Sequence, residues 1–373
     1  MVSRTCSALI CAVTLLFISS GLNAQQHLMW RAPLPQAGRS PGIITDIGGF
    51  ALDANDNAVV TGTLNDGQDS NNDVFTSMVT SAGYIDLNLL YDGAASGNDY
   101  GNAIALDGAG NAYVAGTYDA NTGALLWSHL YGATYPTALM IDAQGDPIVL
   151  AQGNNAIQLF KFNPTGQVIW QRHVAIPSGD YSSNSVFTVD SAGNMLLACG
   201  LTNSSLRTTT DLLYKYAPNG VVLWERTLAS SSSGTWNGPT GITTDSSGAV
   251  IMNVSRVPAT IGYPVQVVLK YSSTGQFLWS RSFPDAGEYP GASSTNAVVT
   301  DSNDNIIATC TLGGTVSVTQ KYDSSGNLLW TGRYGVSSSS PCVAVDSGDN
   351  IYTLVYWSPY GVPVRAMLLK FYP

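Results

Sequence analysis

Residues 159–172 read Leu-Phe-Lys-Phe-Asn-Pro-Thr-Gly-Gln-Val-Ile-Trp-Gln-Arg, and this pattern of Lys, Gly and Trp returns three more times along the chain. In every copy the Trp follows the Lys by nine residues and the Gly by four. Two short apolar runs on either side of a Gly-containing turn are typical of a β-hairpin. The four pairs are Lys161 with Trp170, Lys215 with Trp224, Lys270 with Trp279, and Lys321 with Trp330.

The two ends of the chain carry the separate halves of a further hairpin. Leu28-Met29-Trp30 matches the Trp half, and Leu369-Lys370-Phe371 matches the Lys half. We expect residues 27–34 to pair with residues 366–372, so that the N-terminal strand completes the last repeat and closes a ring.

A second pattern gives the number of repeats. An apolar pair, an Asp, three turn residues, an Asn or Asp in all copies but one, and an apolar run occur seven times, at Asp53, Asp107, Asp142, Asp190, Asp245, Asp301 and Asp346. Together the two hairpins make four antiparallel strands, A to D, in a repeat of about 50 residues. The sequence therefore predicts an all-β, seven-bladed β-propeller of four-stranded blades. Blade 2 is the exception, because the eleven residues from Asp107 to Tyr118 are too few for a complete B–C hairpin, and we expect three strands there.

Bulk composition limits the class of protein. A short apolar run within residues 1–24, followed by small residues, is typical of a cleaved secretory signal, which leaves residues 25–373 as one propeller domain. The net charge of −10 argues against a nucleic-acid partner, and no later stretch is long and apolar enough to span a membrane. We expect a secreted or periplasmic monomer.

Two segments resemble known propeller families. Residues 90–116, from Leu90-Tyr91-Asp92 to Val114-Ala115-Gly116, resemble the bacterial seven-bladed β-propeller (SBBP) repeat. Residues 119–127, ending in Leu125-Leu126-Trp127, resemble the tryptophan motif of quinoprotein (PQQ-like) propellers. Both resemblances imply the fold, which hosts many unrelated functions. The adjacent cysteines common in quinone enzymes are missing, so we expect no quinone cofactor.

Three cysteines follow the signal segment. Cys199 and Cys310 share one repeat position, where other copies have small or apolar residues, and Cys342 also takes a small-residue position. We expect all three to be buried packing residues. A disulfide between Cys310 and Cys342 is the alternative.

Catalytic and metal motifs are sparse. No serine-hydrolase or zinc-protease motif occurs, and the repeated Asp residues belong to turns. The turns at Asp53 and Asp301 resemble calcium loops in spacing but lack the Gly and Glu that such loops need. We name Asp69, Asn71 and Asp73 as the one calcium candidate, a solvated acidic loop being the alternative, and we expect no other cofactor.

The end of the ring that carries the B–C and D–A loops is the candidate binding surface, because these loops vary between copies while the turns do not. Aromatic residues recur there, beside carboxylates, and such rings stack sugars or bind peptides. The alternative is that they pack over the strand ends. The candidate ligand-binding residues are Tyr100, Tyr135, Tyr181, Trp236, Tyr289 and Trp357.

These observations favour a non-enzymatic binding module for a protein or glycan ligand. One alternative is a carbohydrate-active lyase or hydrolase that uses the loop acids Asp99, Asp180, Asp285 and Glu288. Another is an assembly scaffold at the outer membrane, against which the lack of a lipid-anchor motif counts.

Overall fold

The computed structural model describes residues 28–34, 43–65, 71–91, 98–107, 112–117, 135–153, 156–178, 180–203, 205–206, 208–231, 238–256, 265–283, 294–313, 316–335, 342–357 and 365–373. The predicted signal segment at residues 1–24 lies outside these ranges. Within the described part of the chain, no helix has the length and apolar character needed to cross a bilayer.

The regular secondary structure of the described residues consists of β-strands, which are numbered in chain order. The strand completing the last blade is β1 (Leu28–Pro33). Blade 1 contains β2 (Ile43–Leu52), β3 (Ala58–Asn65), β4 (Asp73–Val79) and β5 (Ile85–Tyr91). Blade 2 contains β6 (Tyr100–Leu106) and β7 (Ala112–Thr117). Blade 3 contains β8 (Tyr135–Ile141), β9 (Pro147–Gly153), β10 (Ala156–Phe162) and β11 (Val168–Val174).

The remaining blades repeat the same arrangement. Blade 4 contains β12 (Asp180–Val189), β13 (Met195–Asn203), β14 (Thr208–Tyr216) and β15 (Val222–Ser231). Blade 5 contains β16 (Gly238–Thr244), β17 (Val250–Arg256), β18 (Val265–Tyr271) and β19 (Phe277–Phe283). Blade 6 contains β20 (Ser294–Thr300), β21 (Ile306–Leu312), β22 (Val316–Tyr322) and β23 (Leu328–Gly335). Blade 7 contains β24 (Cys342–Val345), β25 (Ile351–Trp357), β26 (Arg365–Phe371) and β1.

The sheets are antiparallel, and each runs in the order of its strands from A to D. The A strands of neighbouring blades contact one another around the ring, which places them innermost. The prediction of seven four-stranded blades is wrong in number, because the described residues form six four-stranded blades and one two-stranded sheet, β6–β7, between blades 1 and 3. The third strand predicted for blade 2 falls on residues outside the described ranges.

The N-terminal strand closes the ring as predicted. β1 pairs antiparallel with β26, and Trp30 stands opposite Lys370. The same register joins Trp170 to Lys161 in blade 3 and recurs in blades 4, 5 and 6. Blade 1 also contacts blade 7 through β2. The chain therefore forms a closed ring of sheets in which the first and last described strands share one blade.

A buried ion pair between a Lys of the C strand and the Asp of the A–B turn recurs in five of the described blades. In blade 6, for example, Lys321 Nζ lies 2.9 Å from the Asp301 carboxylate, and both side chains are buried. The same pair occurs in blades 3, 4, 5 and 7. Asp301 also accepts the backbone N–H groups of Asn303 and Asn305. These bonds place Asp301 in the A–B turn, as its position in the repeat predicts.

The repeated Trp joins blades 3, 4 and 5 each to the blade that follows it. In blade 3 the Trp170 indole N–H donates to the Pro218 carbonyl of blade 4, and the Arg172 guanidinium donates to the Gly220 carbonyl. The Arg172 guanidinium also lies 5.5 Å from the Trp170 ring centroid, a cation–π contact. Blades 4 and 5 use the same Trp-x-Arg contact. The motif thus packs blades together, as its position in the repeat predicts.

The cysteines are packing residues. Cys199, Cys310 and Cys342 are free, so the alternative of a Cys310–Cys342 disulfide is wrong. The two residues lie in different core clusters: Cys310 packs with Phe283 and Val318, whereas Cys342 packs against the cluster between blades 7 and 1. Burial raises the pKa of Cys310 to about 12 and that of Cys342 to about 11. Neutral thiols of this kind are poor nucleophiles.

Candidate functional site

The strand directions define two ends of the ring. A strands begin and B strands end at one end, which we call the loop end; the A–B and C–D turns lie at the other, the turn end. Tyr100 begins β6, Tyr135 begins β8, Tyr181 is the second residue of β12, and Trp357 ends β25. The backbone therefore brings these four predicted residues to the loop end. Trp236 and Tyr289 lie outside the described residues.

Two of these aromatic side chains are partly open to solvent. Tyr100 is 38% exposed and Tyr181 is 40% exposed. Nothing is described of the side chains of Tyr135 and Trp357. Both exposed rings lie at the start of innermost strands, so they border the inner part of the loop end.

The segment before Tyr100 is tied to the neighbouring blade. The Asp99 backbone N–H donates to the Asn72 carbonyl over 2.7 Å, and the Asn72 N–H donates to Asn98 Oδ1 over 3.0 Å. Asp99 itself is fully buried. The two residues that directly precede Tyr100 are therefore both bonded to blade 1. Tyr100 is therefore presented from a fixed support.

A second support holds the backbone at Tyr181. Asn203 at the end of β13 donates from Nδ2 to Asp180 Oδ1 over 2.6 Å. Asn203 Oδ1 in turn accepts the Leu206 backbone N–H over 2.9 Å. The Asp180 N–H donates to the Pro177 carbonyl. One carboxylate and one amide thus join a D–A loop to a B–C loop of the same blade.

These contacts bear on the catalytic alternative. Of its four loop acids, Asp99 is buried and Asp180 bonds Asn203. Asp285 and Glu288 lie outside the described residues. The Asp180 carboxylate thus joins two loops of blade 4, and the Asp99 side chain is shielded from solvent. A carboxylate pair for glycoside chemistry stays a prediction.

The calcium candidate is described only in part. Asp69 lies outside the described ranges, the Asn71 carbonyl accepts the Asn65 side chain over 2.7 Å, and Asp73 is a buried residue at the start of β4. Among the residues that the structure describes, no three acidic, His or Cys side chains lie close enough together to hold a metal ion. Calcium binding at Asp69, Asn71 and Asp73 stays a prediction.

One carboxyl group near the loop end was missed by the sequence reasoning. Asp211 lies in the middle of β14, is 2% exposed, and faces blade 5 alongside Leu213. Its Oδ1 has no hydrogen-bond partner. Burial raises the pKa of Asp211 to about 6, and the nearby Arg256 of blade 5 opposes this rise. The available signal was an acid inside the strand Thr-Thr-Thr-Asp-Leu-Leu, where repeat copies do not carry one.

Such a group is a site candidate in general, because carboxyl groups with raised pKa values cluster at functional sites. Here, however, Oδ1 is shielded from solvent and faces an interface between blades. The described surroundings give a ligand no direct access to it. We therefore assign Asp211 to the packing of blades 4 and 5.

Comparisons with known proteins agree with the fold. The β-propeller repeat family SBBP matches residues 90–117, which confirms the predicted resemblance over that segment. The resemblance of residues 119–127 to quinoprotein propellers stays a prediction, and these residues lie outside the described ranges. No curated protein matches the sequence.

Several solved structures are similar at low identity. A luciferin-regenerating enzyme is 11% identical with a TM-score of 0.48, covering 92% of this chain and 95% of that one. A gluconolactonase from Xanthomonas campestris is 14% identical with a TM-score of 0.40, covering 92% and 98%. A polysaccharide lyase is 9% identical with a TM-score of 0.44, covering 88% and 77%. At these values none of the activities in those names transfers to this chain.

Proposed function

We propose that this chain is a secreted or periplasmic β-propeller without catalytic activity that binds a protein or glycan ligand at its loop end. The observation that carries the proposal is the pair of exposed rings, Tyr100 and Tyr181, each held at the start of an innermost strand. A Tyr ring offers a large apolar face and a polar hydroxyl, which suits recognition of sugars and of peptides.

The fixed supports strengthen this proposal. Asn72 and Asn98 tie the segment before Tyr100, and Asn203 ties the segment before Tyr181. A side chain presented from an ordered backbone loses little conformational entropy when a ligand binds, so more of its contact energy appears as affinity. Exposed amides of Asn98 and Asn184 lie at the same end and supply hydrogen-bonding groups.

A matched pair of variants tests the proposal. The binding variant is Tyr100→Ala with Tyr181→Ala, and the control is Tyr84→Ala, because Tyr84 is 74% exposed but lies in a C–D turn at the turn end. The three proteins are compared on a glycan array and in pull-downs from the surface fraction of the source cells. Any ligand retained by the parent should be retained by the control and weakened roughly tenfold or more in the double variant.

Two outcomes would contradict the proposal. In the first, the double variant retains every ligand of the parent with unchanged affinity. In the second, loss of binding is equal in the control, which would place the ligand elsewhere on the ring. Turnover of a retained glycan by the parent would instead support the alternative of a carbohydrate-active enzyme.

A further inference from the structure

The sheet of blade 4 extends beyond those of its neighbours at the loop end. Its B strand, β13, has nine residues, whereas β9, β17 and β21 of blades 3, 5 and 6 have seven. All four strands begin directly after their A–B turns, so the two extra residues, Thr202 and Asn203, lie at the loop end. At about 3.3 Å per residue, they raise this sheet by about 7 Å above the other three B strands.

The raised residues are part of the sheet. Thr202 stands opposite Tyr181 of β12, and Asn203 stands opposite Asp180. Both also pair with β14, so each row crosses three strands. We use the name raised edge for Asp180, Tyr181, Thr202, Asn203 and Leu206, which closely follows β13.

Two large side chains of the raised edge are open to solvent. Leu206 is 71% exposed, and Tyr181 is 40% exposed. The Asn203 amide bonds the backbone on both sides, because its Nδ2 donates to the Asp180 carboxylate and its Oδ1 accepts the Leu206 N–H. An exposed Leu and an exposed Tyr thus extend from segments that one amide connects.

The exposure of Leu206 does not come from the repeat. Other exposed Leu side chains share one repeat position, directly before the Trp of a D strand, as Leu223, Leu278 and Leu329 do. Leu206 lies in a B–C loop, where the copies differ in length and sequence. Exposed apolar side chains that gather on a soluble protein indicate contact with another molecule.

The chemistry of the raised edge favours a protein over a glycan as that molecule. A branched Leu side chain has no flat face to stack on a sugar ring and no group to bond sugar hydroxyls. It gains most when another apolar side chain removes it from water, as in the centre of a protein–protein interface. Asn184, exposed on the same strand as Tyr181, adds an amide with the donor and the acceptor that match a peptide group.

We propose that the loop-end ligand is a protein, and that a segment of it with a large apolar side chain packs on Leu206 and Tyr181. This step rests on the proposed loop-end function and narrows its ligand from a protein or glycan to a protein. The apolar side chain supplies the selectivity, because Leu206 distinguishes it from a polar one by removal from water.

Two Leu variants in blade 4 test the inference. Leu206→Ser removes the apolar side chain from the raised edge, and Leu223→Ser is the matched control, because Leu223 is 51% exposed at the turn end of the same blade. Leu206→Met keeps an apolar side chain of similar volume. A phage-displayed library of random peptides is selected on the parent protein, and a glycan array is probed in parallel. Calorimetry then measures the affinity of each selected peptide for every variant.

The parent should select peptides that share a large apolar residue. Leu206→Ser should weaken their binding about tenfold, because the burial of a Leu side chain is lost. Tyr181→Ala should weaken it as well, whereas Leu206→Met and Leu223→Ser should bind like the parent.

Other results separate this inference from the loop-end function. If no peptide is selected but a glycan binds in a manner that depends on Tyr100 and Tyr181, the loop-end function stands and the protein ligand is overturned. Peptide binding that survives Leu206→Ser or Tyr181→Ala overturns it too, as does equal weakening by Leu223→Ser or by Leu206→Met. If neither peptides nor glycans bind, the loop-end function fails together with the inference.

Discussion

Ser347 and Asp56 join the last blade to the first, although they are 291 positions apart: the backbone N–H and the hydroxyl of Ser347 donate to the two carboxylate oxygens of Asp56 over 3.1 and 2.8 Å. Asp56 has a φ of 60°, in the left-handed region where repeat copies elsewhere have Gly. Ser302 bonds Asp349 in the same way, and Ser246 bonds Asp304. Three consecutive blade interfaces, including the ring closure, therefore share one clasp.

Asp56→Gly should remove the clasp while keeping the backbone conformation, since Gly adopts a positive φ without strain. We expect a loss of about 1 kcal/mol in the free energy of unfolding. Gly248→Asp is the reciprocal variant, because it places a carboxylate in blade 5 at the repeat position of Asp56. Ser191 of the preceding blade, blade 4, has the repeat position of Ser347 and could donate to it. An added Cβ at Gly248 meets only Ser273 Cβ, at 3.6 Å, but a non-Gly residue is strained at the φ of 74° found there, so the added clasp has to outweigh that strain. Guanidinium unfolding should show a gain for Gly248→Asp or no change; a gain for Asp56→Gly would contradict the clasp.

Deleting β1 should open the ring. In the intact protein, β26 pairs with residues 28–33. A protein that begins after residue 36 lacks this partner, so the edge of β26 is exposed. Unpaired edges of this kind promote association between chains. We expect aggregation on light scattering or a large fall in the melting temperature, relative to a protein that begins at residue 25. Equal melting temperatures for the two proteins would show that β1 does not contribute to closure.

Lys321→Met should leave the Asp301 carboxylate buried without its cation. Breaking one side of a buried pair costs about 3–5 kcal/mol, because the remaining charge is uncompensated. Met is a fair choice because Met78 takes this position in blade 1. Adding Asp301→Asn should recover much of the loss, as measured by chemical unfolding. No recovery in the double variant would indicate that Lys321 acts through packing of its stem.

The same pair predicts the behaviour in acid. Burial opposes ionisation of Asp301, but the bonds from Asn305 and Lys321 outweigh burial and lower its pKa below 3.8. Its contribution is therefore present above pH 3.8 and is lost as the pH falls through the lowered pKa of the folded state. Asp190, Asp245 and Asp346 have lowered pKa values for the same reasons. The parent should lose stability steeply below about pH 4.

Asp211 should show the opposite sign. Its pKa is raised from 3.8 to about 6, so the folded state holds the proton more tightly than the unfolded chain. Stability is lost as the pH rises from about 4 to about 6, by about 3 kcal/mol for a shift of this size. Asp211→Asn should therefore be more stable than the parent at pH 8 and similar to it at pH 4. Urea unfolding at both values checks this, and an equal difference at the two values would contradict it.

Features that repeat along the chain could be predicted from the sequence. The pairing of Trp30 with Lys370 followed from the spacing of Trp170 after Lys161, and the turn positions followed from the Asp repeat. The bond between Lys321 and Asp301 was not predicted, because it joins a C strand to an A–B turn, and their approach depends on the twist of the sheet. Repeats alone also give no measure of burial, which is why Asp211 was missed.

Departures from the repeat were harder to interpret. Gly332 and Arg333 differ from the Arg and Ser at the same positions of blade 5, but their meaning depends on which neighbour each strand face contacts. Of the six candidate aromatics, the four that the structure describes lie at the loop end, in the first two residues of an A strand or the last residue of a B strand. Their exposure could not be read from the sequence, because it depends on how the loops fold over the strand ends.

The binding proposal depends on whether Tyr100 and Tyr181 are free of a packing role. The measurement is the free energy of unfolding of the Tyr100→Ala, Tyr181→Ala variant, compared with Tyr352→Ala, whose side chain is fully buried. Exposed positions change stability by about 0.5 kcal/mol each, whereas loss of a buried aromatic costs about 3–5 kcal/mol. We predict a change of about 1 kcal/mol or less for the double variant. A loss of several kcal/mol, comparable with that of Tyr352→Ala, would show that the rings pack over the strand ends and would contradict the proposal.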